Sequence, residues 1–508
     1  MKLDKTYTLL KSLNKSEKRF FKIYSSRHVI GKTNNYVELF DAMDKQQVYD
    51  EQQIKKIFAN EKFVKRMPVA KAYLYDLILK SMSAYQQNNT ATQLYDNLKQ
   101  VQFLFAKKLY QQAEQLLSKT KKLAQEQDQV ELMPEIMRWQ KKLMDLNQYN
   151  ISKADLDDFC KEETEWIDNL ELINKFWKLQ SELYIQHNNY GIVKNEQELE
   201  ALEGVFNERF MQLPDYKLPF RAKLLKNKIY GTYFFQIRDF QSSYNYVTEM
   251  IQLLEESAPK SSFYNKEYVQ AINNLLNLTQ VLNLDVEHNN YLAKLRKLYH
   301  NIENYKTVEV KTPVVEAFHY HSMNFILKTG LYQEGLTHQQ LMEADLKKHN
   351  KSISATSKTM LYFFAFHINF NVENFEKAYN YLFKIKKHEA QNNRIDIINF
   401  CNILLPLTAY ELGDYKLLKT NLKNLYRYLW RKENKTSFEN FVFNAIKDLP
   451  KHKESVNWFK ACNQQLELHK ADDCFMKAFH YFKFADWLAC KLQNKSYGKQ
   501  MLVQAMAI

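Results

Sequence analysis

The chain has 508 residues and a formal net charge of +14, with only 8 glycines and 8 prolines. That length exceeds one ordinary core, and the scarcity of both turn-forming residues excludes sheet-rich and loop-rich architectures in favour of helices joined by short corners. Hydrophobic content of 45% and aromatic content of 14% exclude a disordered chain and predict a core rich in Phe and Tyr.

The first predicted element follows Asn14, which with Glu17 has the spacing of a capping box. A helix is expected from Lys15 to about His28, with Phe20, Phe21 and Tyr24 on one face and Lys15, Lys18, Arg19 and Lys22 on the opposite one. NNYVELFDAMD, then YDEQQIKKIFAN capped by Asp50, then a longer helix through VAKAYLYDLILKSMSAY complete a small helical N-terminal domain over residues 1–90. Pro68 is expected near the start of the last helix, where a missing N–H costs least. Two short helices and a longer one also admit a helix-turn-helix reading, with Lys71 on the groove-entering helix. The long, glycine-free turn ANEKFVKRMP weighs against it.

Further along, an aromatic followed three residues later by a small residue recurs: Tyr110 with Ala113, Phe240 with Ser243, Tyr332 with Gly335 and Phe375 with Ala378. In a helical hairpin such an aromatic wedges the corner and the small residue lets the backbones approach. Tyr415 continues the series with Leu418 in the small position, and the last separations, 43 and 40 residues, set the unit. Weaker corners are read at Tyr149, Tyr190 and Tyr291.

ELGDYKLL and VENFEKAYNYL resemble the corner between the two helices of a tetratricopeptide repeat, over about residues 100–430. The period of 40 to 51 residues exceeds that family's 34, and Trp430 stands where its closing proline would fall. The LNKSEKRFFKIY start and the Lys-, Asn-, Tyr- and Phe-rich character are also similar to helical-repeat proteins of Bacteroidota. The resemblance implies an all-α fold, a right-handed superhelix of antiparallel helical hairpins (a tetratricopeptide-like α-solenoid) over residues 91–433, with a concave binding surface.

Past Tyr415, five cations recur at helical spacing: Lys416, Lys419, Lys423, Arg427 and Arg431, opposite Leu418, Leu422, Leu425 and Leu429. Like charges at this spacing repel, so the stripe weakens its helix unless acids from the preceding helix or from residues 447–455 pair with it. Tyr426, Tyr428 and Trp430 lie nearby as core residues or as stacking groups. Residues 434–508 read as three or four helices capping the solenoid. Their Cys462, His469, Cys474, His480 and Cys490 lack the close pairs of a zinc site, so they are read as buried structural residues. Net charge divides unevenly: +8 over residues 1–100, +7 over 401–508 and −1 between. An acidic partner should prefer the ends.

No phosphate-cradling glycine loop, HExxH, GxSxG or kinase signature occurs. His319 and His321, two apart on a helix, point to different faces and read as one core and one surface histidine. The N-terminus lacks a signal-peptide core, and the most apolar window, Met360 to Phe370, is too short to cross a bilayer. Five cysteines without close pairing suit a reducing cytoplasm. The sequence therefore predicts a cytoplasmic, non-catalytic scaffold or adaptor without cofactor or metal, binding a protein or peptide partner. The alternative is a nucleic-acid-binding protein, RNA or ribosome before DNA, using the basic ends. The oligomeric state is left open.

Overall fold

The computed structural model describes residues 4–506 apart from 27–34, 86–89, 147–150, 191–192, 194–195, 204–207, 258–263, 306, 351, 388–393, 432–437, 440, 442–443, 445–455 and 469–480. Among the described residues every regular element is a helix, and none is long and apolar enough to cross a membrane. The chain divides into two compact units: residues up to Phe176, together with Tyr216–Pro219 and Pro259–Ser261, and the remainder to the C-terminus. Tyr149, His469, Cys474, His480 and the 447–455 segment lie outside the described residues.

The first unit opens with α1 (Lys5–Ser12), α2 (Lys15–Ser26), α3 (Asn35–Lys45), α4 (Glu51–Ile57) and α5 (Met67–Tyr85). The capping box closes as its spacing predicts: Glu17 N–H donates to Asn14 Oδ1 at 2.9 Å, and Asn14 N–H donates to Glu17 Oε2 at 2.7 Å. Asp50 Oδ1 likewise accepts from the amides of Gln52 and Gln53, and Pro68 is the second residue of α5. Leu10, Phe21, Leu39, Phe40, Leu74 and Ile78 form a fully buried core, with the rings of Phe21 and Phe40 stacked at 4.4 Å. A second core joins α6 (Thr90–Ala106), α7 (Tyr110–Glu126) and α8 (Met133–Leu146), with Trp166 of α9 (Lys153–Tyr190) packed against it.

In the second unit, α10 (Glu196–Glu203) precedes five hairpins: α11 (Phe220–Gln236) with α12 (Phe240–Ser257), α13 (Asn265–Val281) with α14 (Asp285–His300), α15 (Val308–Thr329) with α16 (Tyr332–Lys348), α17 (Ala355–Asn371) with α18 (Phe375–Lys387), and α19 (Ile395–Glu411) with α20 (Tyr415–Arg431). Consecutive helices pack on one another, the arrangement of an α-solenoid.

The corners share one device. A residue in the left-handed region stands two positions before each second helix: Lys108 in the first unit, then Arg238, Asn283, Gly330, Glu373 and Gly413 in the second. Asp239, Asn374 and Asp414 then cap their helices through side-chain oxygens. An aromatic five residues before the corner meets the corner aromatic edge-on, as in Phe105 with Tyr110, Phe235 with Phe240 and Phe370 with Phe375. Ala113, Ser243, Gly335 and Ala378 are buried as the close approach requires. At Gly335 a Cβ would meet the Ile326 and Ile368 side chains at 2.9 and 3.1 Å.

Two weak corners are corrected. Tyr291 lies inside α14 and Tyr190 ends α9; the second hairpin instead turns at Asn283, with Asp285 where other corners carry an aromatic. With that corner included, the spacings from Phe240 onward are 45, 47, 43 and 40 residues.

The C-terminal helices α21 (Val456–Leu468), α22 (Phe484–Leu492) and α23 (Tyr497–Met506) fold onto the first helices of the last hairpins. Tyr481 donates to Asp396 at 2.8 Å, Lys491 pairs with Glu411 at 2.6 Å, and the Phe482 ring meets Phe370 at 5.3 Å. Gly498 lies so close to the Asn371 carbonyl that a Cβ would overlap it.

Candidate functional site

The two sets of cations singled out from sequence have different surroundings. On α2, Lys18 pairs with Asp44 and Lys22 with Asp41, each at 2.6 Å, while Lys15 and Arg19 are exposed. Lys71, the helix-turn-helix candidate, is turned inward between Asp4 at 2.7 Å and Glu51 at 2.6 Å and also donates to Tyr49. Burial works against its charge, yet the hydrogen bonds it donates to Asp4, Glu51 and Tyr49 raise its pKa above the usual lysine value. A cation held in this way does not reach into a groove. On α20, Lys416, Lys419, Lys423, Arg427 and Arg431 are all exposed, and among the described residues no carboxylate forms an ion pair with any of them.

A cavity of about 670 Å³ opens in the second unit, lined mainly by α11, α12 and α13 and the first halves of α15 and α17. Its size falls within the range of ordinary ligand sites. Gln270, Asn273, Asn274 and Asn277 on α13 line it at i, i+3, i+4 and i+7, so four carboxamides share one helical face. The opposite side of α13 carries Ile272, Leu275 and Leu276, all fully buried, which holds that face toward the cavity.

One carboxamide is oriented from behind. His321 Nε2 lies 2.9 Å from Asn273 Oδ1. Burial, then the neighbouring His288, pushes the His321 pKa down to about 3, so the ring is neutral and donates through Nε2. Asn273 Oδ1 is engaged, and its Nδ2 hydrogens remain for the cavity. No hydrogen bond among the described residues ties the side chains of Gln270, Asn274 or Asn277.

No family model matches the chain, and no curated protein or solved structure matches it.

Lys228 of α11 is the cavity's cation. It is half-buried, its Nζ stands 5.8 Å from the Tyr184 ring centroid, and among the described residues it has no ion-pair partner. Burial lowers its pKa, and Glu267 opposes that shift from a distance. Glu316, also on the wall, accepts the Ser354 amide at 2.9 Å and so has a structural bond.

The histidine expectation is half corrected. His319 and His321 do point to different neighbours, but both are fully buried, because this part of α15 is covered on two sides. His319 bridges Asp345 and His338 of α16, each at 3.0 Å, and Tyr299 of α14 also donates to Asp345. Although burial pushes the Asp345 pKa up, hydrogen bonds from His319 and Tyr299 hold it below the usual carboxylate value. Burial, reinforced by His319, lowers His338 to about 4. The cluster ties three helices together, and among the described residues no group of His, Cys, Asp and Glu has the arrangement of a metal site.

Sequence reading missed the cavity altogether. Its signal was present: polar amides at i, i+3, i+4 and i+7 opposite an apolar α13 face are indistinguishable, within one helix, from an ordinary solvated side.

Proposed function

We propose that the protein is a non-catalytic scaffold or adaptor that takes an extended segment of a protein partner into the cavity on α11, α13, α15 and α17. The observation that carries this reading is the row of four carboxamides on α13. A carboxamide offers one acceptor and two donors, the same groups a peptide bond needs satisfied when it leaves water. An extended segment has unpaired amides and carbonyls along its length, so such a row meets it without selecting a particular side chain. Lys228 then adds direction by receiving a carboxylate of the segment, in surroundings where a charged hydrogen bond is stronger than in water. A cytoplasmic setting accords with the buried thiols of Cys401, Cys462 and Cys490.

The test is photo-crosslinking from Met360 on the cavity wall in the native cell, followed by titration of the captured segment as a synthetic peptide. Asn273→Leu with Asn277→Leu should weaken that peptide about tenfold or more, since two hydrogen bonds are lost. Undiminished affinity in the double variant would remove the cavity from the partner's site.

A further inference from the structure

We propose that the exposed face of α20 is a binding surface for single-stranded nucleic acid, separate from the peptide cavity. At 100° per residue, Lys416, Lys419, Lys423, Arg427 and Arg431 occupy an arc of roughly 120° that also contains Trp430 and has Tyr426 at its edge. Trp430 is 73% exposed and Tyr426 55% exposed, whereas Leu418, Leu425 and Leu429 on the other side are buried. The helix is locked in that rotation, because buried Asn421 exchanges hydrogen bonds with Tyr379 of α18. The neighbouring α18 presents a further exposed ring, Phe383.

Two costs therefore coincide on one face. Cations at i, i+3 and i+4 repel one another with no acid among the described residues to offset them, and large rings are left in water. A polyanion with flat apolar groups removes both. Phosphates neutralise the cations, and bases stack on the rings. An acidic peptide would answer the charges and leave Trp430 uncovered. A duplex hides its base faces, which selects a single strand. The 17-residue helix is roughly 25 Å long, enough to follow several nucleotides.

The experiment is fluorescence anisotropy of a labelled short oligouridine with the full chain, at several salt concentrations. With five phosphate contacts the slope of log affinity against log salt should be about −3.5, and Lys423→Gln with Arg427→Gln should reduce it to about −2. Trp430→Ala should weaken binding about 5- to 150-fold without changing the slope, and Trp430→Phe should restore most of it. Because these side chains are exposed, none of these variants should melt below the parent. Asn273→Leu in the cavity should leave oligouridine binding unchanged. Absence of oligouridine binding by the parent overturns the proposal. So does indifference to Trp430→Ala, which removes base stacking from the face, or equal competition by polyglutamate, which makes it an acidic-protein site.

Discussion

Helices α2 and α20 carry nearly the same cationic pattern, and the fold treats them differently. Lys18 and Lys22 on α2 face α3, whose Asp41 and Asp44 each answer one cation at 2.6 Å. On α20 no acid among the described residues answers any of the five. Several cations of the first hundred residues are thus paired with acids of the same segment, most deeply Lys71 between Asp4 and Glu51. The segment's net charge gives only the surplus of cations over acids. Only the acids brought to them by the fold say how many are available to a partner.

The comparison can be pushed hardest on histidines whose pKa values the fold shifts far from the free value. His321 and His338 have folded pKa values of about 3 and about 4, below the unfolded value near 6.5. Their neutral burial therefore favours the fold at neutral pH, and that contribution is lost as pH falls from about 6.5, at about 1.4 kcal/mol per pH unit for each. Among the first five helices, hydrogen bonds from Lys55 and Lys71 hold Glu51 at about 2. Its contribution is fully present above about pH 4.5 and fades toward pH 2. Hydrogen exchange on acidification should therefore open α13 to α16 at higher pH than α4 and α5. The reverse order would break the distinction.

Next in size, Lys71→Met should destabilise the packing of α1 to α5 by about 3 kcal/mol, because it strands two partly buried carboxylates. Faster amide exchange in α1 and α5 is the readout. Lys423→Met should slow exchange in α20 slightly, because it removes repulsion with Lys419 and Arg427, and faster exchange at both lysines would erase the contrast.

The smallest effects differ in sign. Lys18→Glu sets like charges beside Asp44 and should cost about 1 kcal/mol. Lys419→Glu places an acid one turn from Lys416 and Lys423 and should stabilise α20 by a few tenths of a kcal/mol. Urea titrations monitored by exchange compare the two. Destabilisation by both would mean that the α20 cations are engaged after all.

Local signals were legible where they lie within a few residues. The Asn14–Glu17 box, the Asp50 cap and the corners at Phe240, Phe375 and Tyr415, capped by Asp239, Asn374 and Asp414, each depend on a side chain meeting backbone one turn away, and the Tyr332 corner turns on Gly330. The Asn283 corner escaped because Asp285 replaces the aromatic on which the pattern was keyed. Lys108, Arg238 and Glu373 adopt the left-handed conformation that glycine would have announced. The α20 stripe was visible from spacing, but the exposure of Trp430 was not, since a ring at such a position is as readily covered by a neighbouring helix.

By itself, then, the sequence determined an all-helical chain, the hairpin unit and the location of its cations, because helix period, caps and corners are set by contacts within a turn or two. Tertiary structure alone decided which charges are matched, that His319 and His321 are both buried, and that the α13 amides face a cavity. Those outcomes depend on side chains brought together from distant parts of the chain, Asn273 with His321 and Lys71 with Asp4 among them. No window along a single helix contains both partners.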